Sequence, residues 1–168
     1  NIIVHIKLPY ILLILSHNYI LSIVYIQPLW YTFFTVAKKE SLFWKKVRSN
    51  LKTFELIRIE SWTNQGIPDV LGVSPGGVYF TVELKVTESN KVSFSPHQIA
   101  YHKLRENAPA FILVQGLSKK YPRKYGLYLF SADQIESLVV QGLKTPALLS
   151  FDQGSWSKFE EAWTKVIE

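Results

Sequence analysis

The run 78–86 (VYFTVELKV) constrains this chain most. Its β-branched and aromatic residues mark a strand, yet Glu83 and Lys85 sit inside it two positions apart. Strand periodicity puts both on one face, with Cα atoms about 6.6–7 Å apart, and turns Leu84 to the opposite face, into the core. A second acid, Asp69, stands in the short apolar segment Gly66-Ile67-Pro68-Asp69-Val70 just upstream. Buried charge is costly unless it is paired or holds a metal. A surface ion pair needs one acid and one base, not two acids framed by apolar residues.

The flanking segments supply the rest of an α/β domain. Residues 40–51 (ESLFWKKVRSNL) predict a helix, with Leu42, Phe43, Val47 and Leu51 at helical spacing and Trp44 beside them. Residues 53–61 alternate Phe54, Leu56, Arg58 and Glu60 against Glu55, Ile57 and Ile59, which predicts a first strand. A turn at 63–66 leads to a second strand over 67–73, and a tight loop at 74–77 leads to 78–86. Three strands so close in sequence predict an antiparallel meander. If the second and third pair, Asp69 approaches Glu83 at a solvent-accessible edge.

Ser95 fits a helix N-cap and Pro96 the first helical position. That helix ends by Asn107. Strands follow at 110–115 and 125–130, then a short helix capped by Ser131 with Ile135, Leu138 and Val139. After a loop containing Pro146, residues 155–167 predict a terminal helix with Trp156, Phe159, Trp163 and Val166 as its apolar stripe.

Composition limits the chemistry. The 168 residues include no cysteine, which removes disulfides, thiolate zinc sites and cysteine nucleophiles. Lys and Arg outnumber Asp and Glu, 19 to 13. The excess is clustered at Lys38, Lys39, Lys45, Lys46, Arg48 and Lys52, and again at Lys119, Lys120, Arg123 and Lys124. Such clusters suit a polyanion, nucleic acid or an acidic membrane surface; the bland reading is two solvated faces. Residues 1–37 differ. Lys7 is their only formal charge, and the uncharged run 8–37 exceeds the roughly 20 apolar residues that span a bilayer. His17, Asn18, Gln27 and Pro28 interrupt it. Together with the absence of methionine, this leads us to expect residues 1–37 to be non-native upstream translation, with a membrane anchor as the alternative, and 38–168 to be the functional domain.

Two carboxylates from adjacent strands make a Mg²⁺ site, since magnesium prefers oxygen ligands. Such a cation polarises a phosphoryl oxygen and lowers the pKa of water, while a neighbouring lysine neutralises charge developing on a phosphate. Asp69…Glu83-Leu84-Lys85 resembles the PD-(D/E)xK nuclease motif, and Pro68-Asp69 supplies the dipeptide itself. The order helix, three strands, helix, strand resembles the restriction-endonuclease-like core (α-β-β-β-α-β), a central mixed sheet flanked by helices. Gly66-Ile67-Pro68-Asp69 and Ser95-Pro96-His97-Gln98 further resemble the VRR-NUC and Holliday-junction-resolvase-like branches, often found in phages.

The resemblance implies roles. Asp69 and Glu83 would be metal ligands with the backbone carbonyl of Leu84, Lys85 the catalytic lysine, and Gln98 a catalytic glutamine near it. Glu40 would complete the metal site, with Glu60 a competing acid. Phosphate contacts would come from Lys45, Lys46, Arg48, Arg58, Lys91, His97, Lys103, Lys119, Lys120, Arg123 and Lys124; His97 and His102 read as surface or DNA-facing. The expected protein is a Mg²⁺-dependent, alternatively Mn²⁺-dependent, endonuclease for branched or junction DNA. A homodimer would cut such DNA, and the setting is phage-encoded, in the cytoplasm of a bacterial host. The alternatives are an inactive nucleic-acid-binding module of the same fold and a membrane-anchored protein. Each residue also has a structural explanation: Asp69 as a turn cap, Glu83 and Lys85 as an exposed pair, Gln98 and Glu40 as ordinary first-turn helical residues.

Overall fold

A computed structural model describes residues 29–59, 66–117, 125–152 and 154–168. The elements are α1 (Leu29–Asn50), β1 (Glu55–Arg58), β2 (Val70–Val73), β3 (Tyr79–Thr87), α2 (Pro96–Lys103), β4 (Ala110–Leu117) and β5 (Tyr125–Ser131). A 3₁₀ turn (Ala132–Gln134) then runs into α3 (Ile135–Gln141). A second turn (Gly142–Lys144), β6 (Leu149–Asp152) and α4 (Trp156–Ile167) follow. The first six elements have the α-β-β-β-α-β order that the motif's resemblance implies. The six strands lie side by side in chain order. All neighbours are antiparallel except β3 and β4, which are parallel. A parallel pair needs a crossover, and α2 lies within it. The domain is thus α/β, with a mixed sheet flanked by helices.

Alternation along the strands feeds two cores. On one face Phe43, Trp44 and Val47 of α1 and Phe159 and Trp163 of α4 pack over Val70, Val82, Leu84 and Leu113. Trp163 centres this layer, with the rings of Phe54, Phe80, Phe111 and Phe159 at 5.3–5.8 Å. On the other face Ile112, Val114 and Phe130 pack with Ile135 and Leu138 of α3. Because β4 is covered on both faces, residues 110–115 are buried without a break.

The differences from sequence expectation have local causes. The first helix begins at Leu29, well before residue 40, and no Gly or Pro interrupts 29–50. Of its expected apolar residues, Trp44 is buried and Leu42 is exposed. The first strand is trimmed to Glu55–Arg58, and the expected turn at 63–66 lies largely outside the described residues, as does Glu60. Asp69 precedes β2 rather than lying on it. Strand β6 was not expected: four residues beside Pro146 are too few to show a period. Val166 is exposed, and Ile167 packs on the core in its place.

Residues 1–28, which hold most of the expected N-terminal segment, fall outside the described residues. Among the described residues no helix is long and apolar enough to cross a membrane.

Candidate active site

The site forms where β2 parts from β3. Pairing between them ends at Val70 with Val82, so β3 continues from Glu83 to Thr87 with only β4 as a ladder partner among the described residues. Asp69 caps that divergence. Its Oδ2 accepts a hydrogen bond from the Leu84 backbone N–H at 2.8 Å. In an extended strand a residue's own N–H and C=O point to the same flank. The Leu84 carbonyl therefore also faces the Asp69 side.

Glu83 and Lys85 share a face, as their spacing predicts. The setting is different from the expected solvent-accessible edge: although β2 has left this flank of β3, Glu83 is 1% exposed. The parallel β4 and the helix α2 cover it, because β3 feeds a crossover rather than ending the sheet. Lys85 Nζ lies 2.9 Å from Glu83 Oε1 and 3.9 Å from Glu40 Oε1. Glu40 thus reaches the cluster from α1.

Gln98 closes the cluster from α2. Ser95 is the N-cap and Pro96 follows it, as predicted. The Ser95 hydroxyl accepts from Gln98 N at 3.2 Å, and Gln98 Oε1 accepts from Ser95 N at 3.0 Å, a reciprocal capping box. The same Oε1 accepts from Lys85 Nζ at 3.2 Å, and Gln98 Nε2 donates to Glu83 Oε1. A helix cap therefore fixes the side chain that bridges acid and lysine.

Electrostatics follow from burial. Glu83 is pushed up to about 8, first by burial and then by the Asp69 charge, against the pull of Lys85. Burial raises Asp69 and Glu40 as well. Lys85 is raised despite burial, because Glu83, Glu40 and Asp69 surround it. It is an ammonium at neutral pH.

The donor atoms suit a hard cation. Glu83 Oε2 is buried and has no hydrogen-bond partner among the described residues, and a carboxylate oxygen left so is costly. Two neighbouring carboxylates, close enough for the Asp69 charge to act on Glu83, and a backbone carbonyl facing Asp69 are the kind of oxygen ligands that Mg²⁺ prefers. Among the described residues no three His, Cys, Asp or Glu side chains cluster at ligand spacing. Glu40 stands beside the lysine instead of joining a three-carboxylate set.

Two neighbours were not anticipated. The Phe94 ring lies 5.5 Å from Lys85 Nζ. His102 is fully buried, which corrects its reading as a surface or DNA-facing residue. It sits one turn beyond Gln98 on α2, a position that helical spacing alone could have flagged. Its ring nitrogens have no hydrogen-bond partner among the described residues. Burial, with the charges of Lys85 and Arg105, pushes it down to about 4.

The expected phosphate contacts divide. Lys45, Lys46, Arg48, Arg58, Lys91 and His97 are exposed. Lys103 is exposed as well, and it pairs with Glu136 of α3. Lys119, Lys120, Arg123 and Lys124 lie outside the described residues.

No family model matches the chain, and no curated protein matches it. Among solved structures it is similar to Hjc, a Holliday junction resolvase from the archaeal hyperthermophile Archaeoglobus fulgidus. The identity is 13%, over 73% of this chain and 92% of that chain, with a TM-score of 0.42.

Proposed function

We propose that this chain is a divalent-metal-dependent nuclease that hydrolyses phosphodiester bonds in DNA. The observation that carries this reading is the convergence of Asp69, Glu83, Lys85 and Gln98 where β2 leaves β3. Salt bridging explains Lys85 but leaves Glu83 Oε2 buried without a hydrogen-bond partner among the described residues.

Asp69, Glu83 and the Leu84 carbonyl hold the cation, which when bound polarises the phosphoryl oxygen and lowers the pKa of water. Mg²⁺ is the expected ion, with Mn²⁺ as a substitute. Lys85, kept protonated by three acids, supplies positive charge where the phosphate becomes more negative. Gln98 is a positioning residue: its amide ties Glu83 to Lys85 and is itself held by the Ser95 cap. Glu40 fixes Lys85 from the other side. Water adds to phosphorus, one P–O ester bond breaks, and the departing oxygen takes up a proton.

The preferred substrate in this reading is branched or junction DNA. Such DNA presents two strands to cut, so two copies of the chain would act together as a homodimer. A phage-type protein in a bacterial cytoplasm fits the same reading.

A panel of junctions, flaps, single strands and linear duplexes, incubated with Mg²⁺ or Mn²⁺, tests the proposal. Wild-type protein should cut at least one structure. Asp69→Asn and Lys85→Ala should still bind it and leave it intact. Equal cleavage by all three proteins removes the assignment.

A further inference from the structure

The described residues include a groove of about 610 Å³ lined by Trp44, Lys45, Arg48, Ser49, Lys52 and Arg58. Four of these six residues are cations and none is acidic. Their arrangement follows from two elements. Lys45, Arg48 and Ser49 fall at i, i+3 and i+4 on α1, so they share one side of the helix. Lys52 extends that side past the helix end, and Arg58 faces it from β1.

The groove adjoins the catalytic cluster. Glu40, which stands 3.9 Å from Lys85 Nζ, lies one helical turn before Trp44 and two before Arg48. At the other wall, Arg58 is in register with Val70, the residue after Asp69. The backbone N–H of Ile59 donates to the Asp69 carbonyl at 2.8 Å. The Arg58 charge also acts on both Glu40 and Asp69. The two walls of the groove thus run toward these two acids, since α1 carries Glu40 and β1 pairs beside Asp69.

We propose that this groove is the track along which one DNA phosphate backbone enters the catalytic cluster. The inference rests on the nuclease reading and deepens it. It separates Lys45, Arg48, Lys52 and Arg58, which line one concavity beside the site, from Lys91 and Lys103, which do not line it. The ligand recognised is the phosphodiester chain and not the bases. Trp44 is 8% exposed, so little of its indole is open for a base to stack on. Contacts of lysine and arginine to phosphate position a strand without reading its sequence.

Binding to fluorescently labelled DNA, followed by anisotropy in Ca²⁺ without turnover, tests the groove separately from the chemistry. Each phosphate contact contributes about 0.9 to the slope of log affinity against log salt on duplex DNA. Lys45→Ala with Lys52→Ala should lower that slope by about 1.8, equally on two duplexes of unrelated sequence. Lys144→Ala, on the turn after α3, should leave it unchanged. An unchanged slope in the double variant overturns the groove, even if the wild-type protein cleaves DNA. A loss confined to one of the two sequences overturns backbone recognition. Failure of cleavage with the slope effect intact overturns the nuclease reading and leaves the track standing. A slope effect seen with anionic vesicles and absent with DNA also overturns it.

Discussion

Glu83 is the residue on which the chemistry turns, because its burial and its task conflict. A carboxyl 1% exposed and raised to about 8 is mostly protonated at pH 7, and a protonated acid is a poor ligand. A cation must displace that proton, so metal affinity should climb with pH up to about 8 and binding should release a proton. Calorimetric titration of Mn²⁺ in buffers of different ionisation enthalpy reads both. In Glu83→Gln the proton release should vanish and cleavage should fall by about 10²–10³-fold. A variant that still releases a full proton would show that another group carries the linkage. The positions of Asp69, Glu83 and Lys85 were legible in the sequence because strand period and turn chemistry are local. The burial of Glu83 was not, since it depends on β4 and α2, which arrive later in the chain.

At the scale of elements, the segment Gly66-Ile67-Pro68-Asp69 carries more than its acid. Gly66 adopts φ +95°, and a Cβ there would lie 2.6 Å from the His97 carbonyl oxygen. The loop before β2 therefore touches the first turn of α2, the turn that holds Gln98. Gly66→Ala adds left-handed strain of roughly 1–2 kcal/mol and pushes on backbone that cannot rotate away. Destabilisation of about 2–3 kcal/mol should show as an earlier urea midpoint. Cleavage should fall further than stability alone explains, because α2 moves Gln98 off Glu83 and Lys85. Ile67→Ala, beside it and half-exposed, provides the comparison. Full activity in Gly66→Ala would break the link between this loop and the helix cap. The sequence announces the glycine as part of a turn, whereas its contact with His97 joins segments some thirty residues apart and has no periodic signature. The element order was readable for the same reason that β6 was not. Long strands and a capped helix repeat a pattern, while Leu149–Asp152 spans two periods at most.

At the scale of the whole molecule, the site should cost stability until a cation fills it. Glu83 is raised from 4.5 to about 8, and Glu40 and Asp69 are raised too. Between these limits the folded protein holds protons that the unfolded chain has released, so stability falls as pH rises. His102, lowered from 6.5 to about 4, works in the opposite sense: its contribution is complete above 6.5 and lost as pH falls towards 4. The two partly cancel below pH 6.5. From pH 6.5 to 8 Glu83 acts without that opposition. One proton over that interval corresponds to about 2 kcal/mol. Urea unfolding in EDTA should therefore show stability declining by about that much across the interval. With Mg²⁺ in excess the decline should shrink or reverse, since a ligand that binds only the folded state stabilises it, and deprotonated Glu83 binds it best. Glu83→Gln should flatten the curve in EDTA and remove the effect of Mg²⁺ on it. If the variant keeps the wild-type decline, the proton held between pH 6.5 and 8 belongs to another group, and burial of Glu83 is not what the cation relieves.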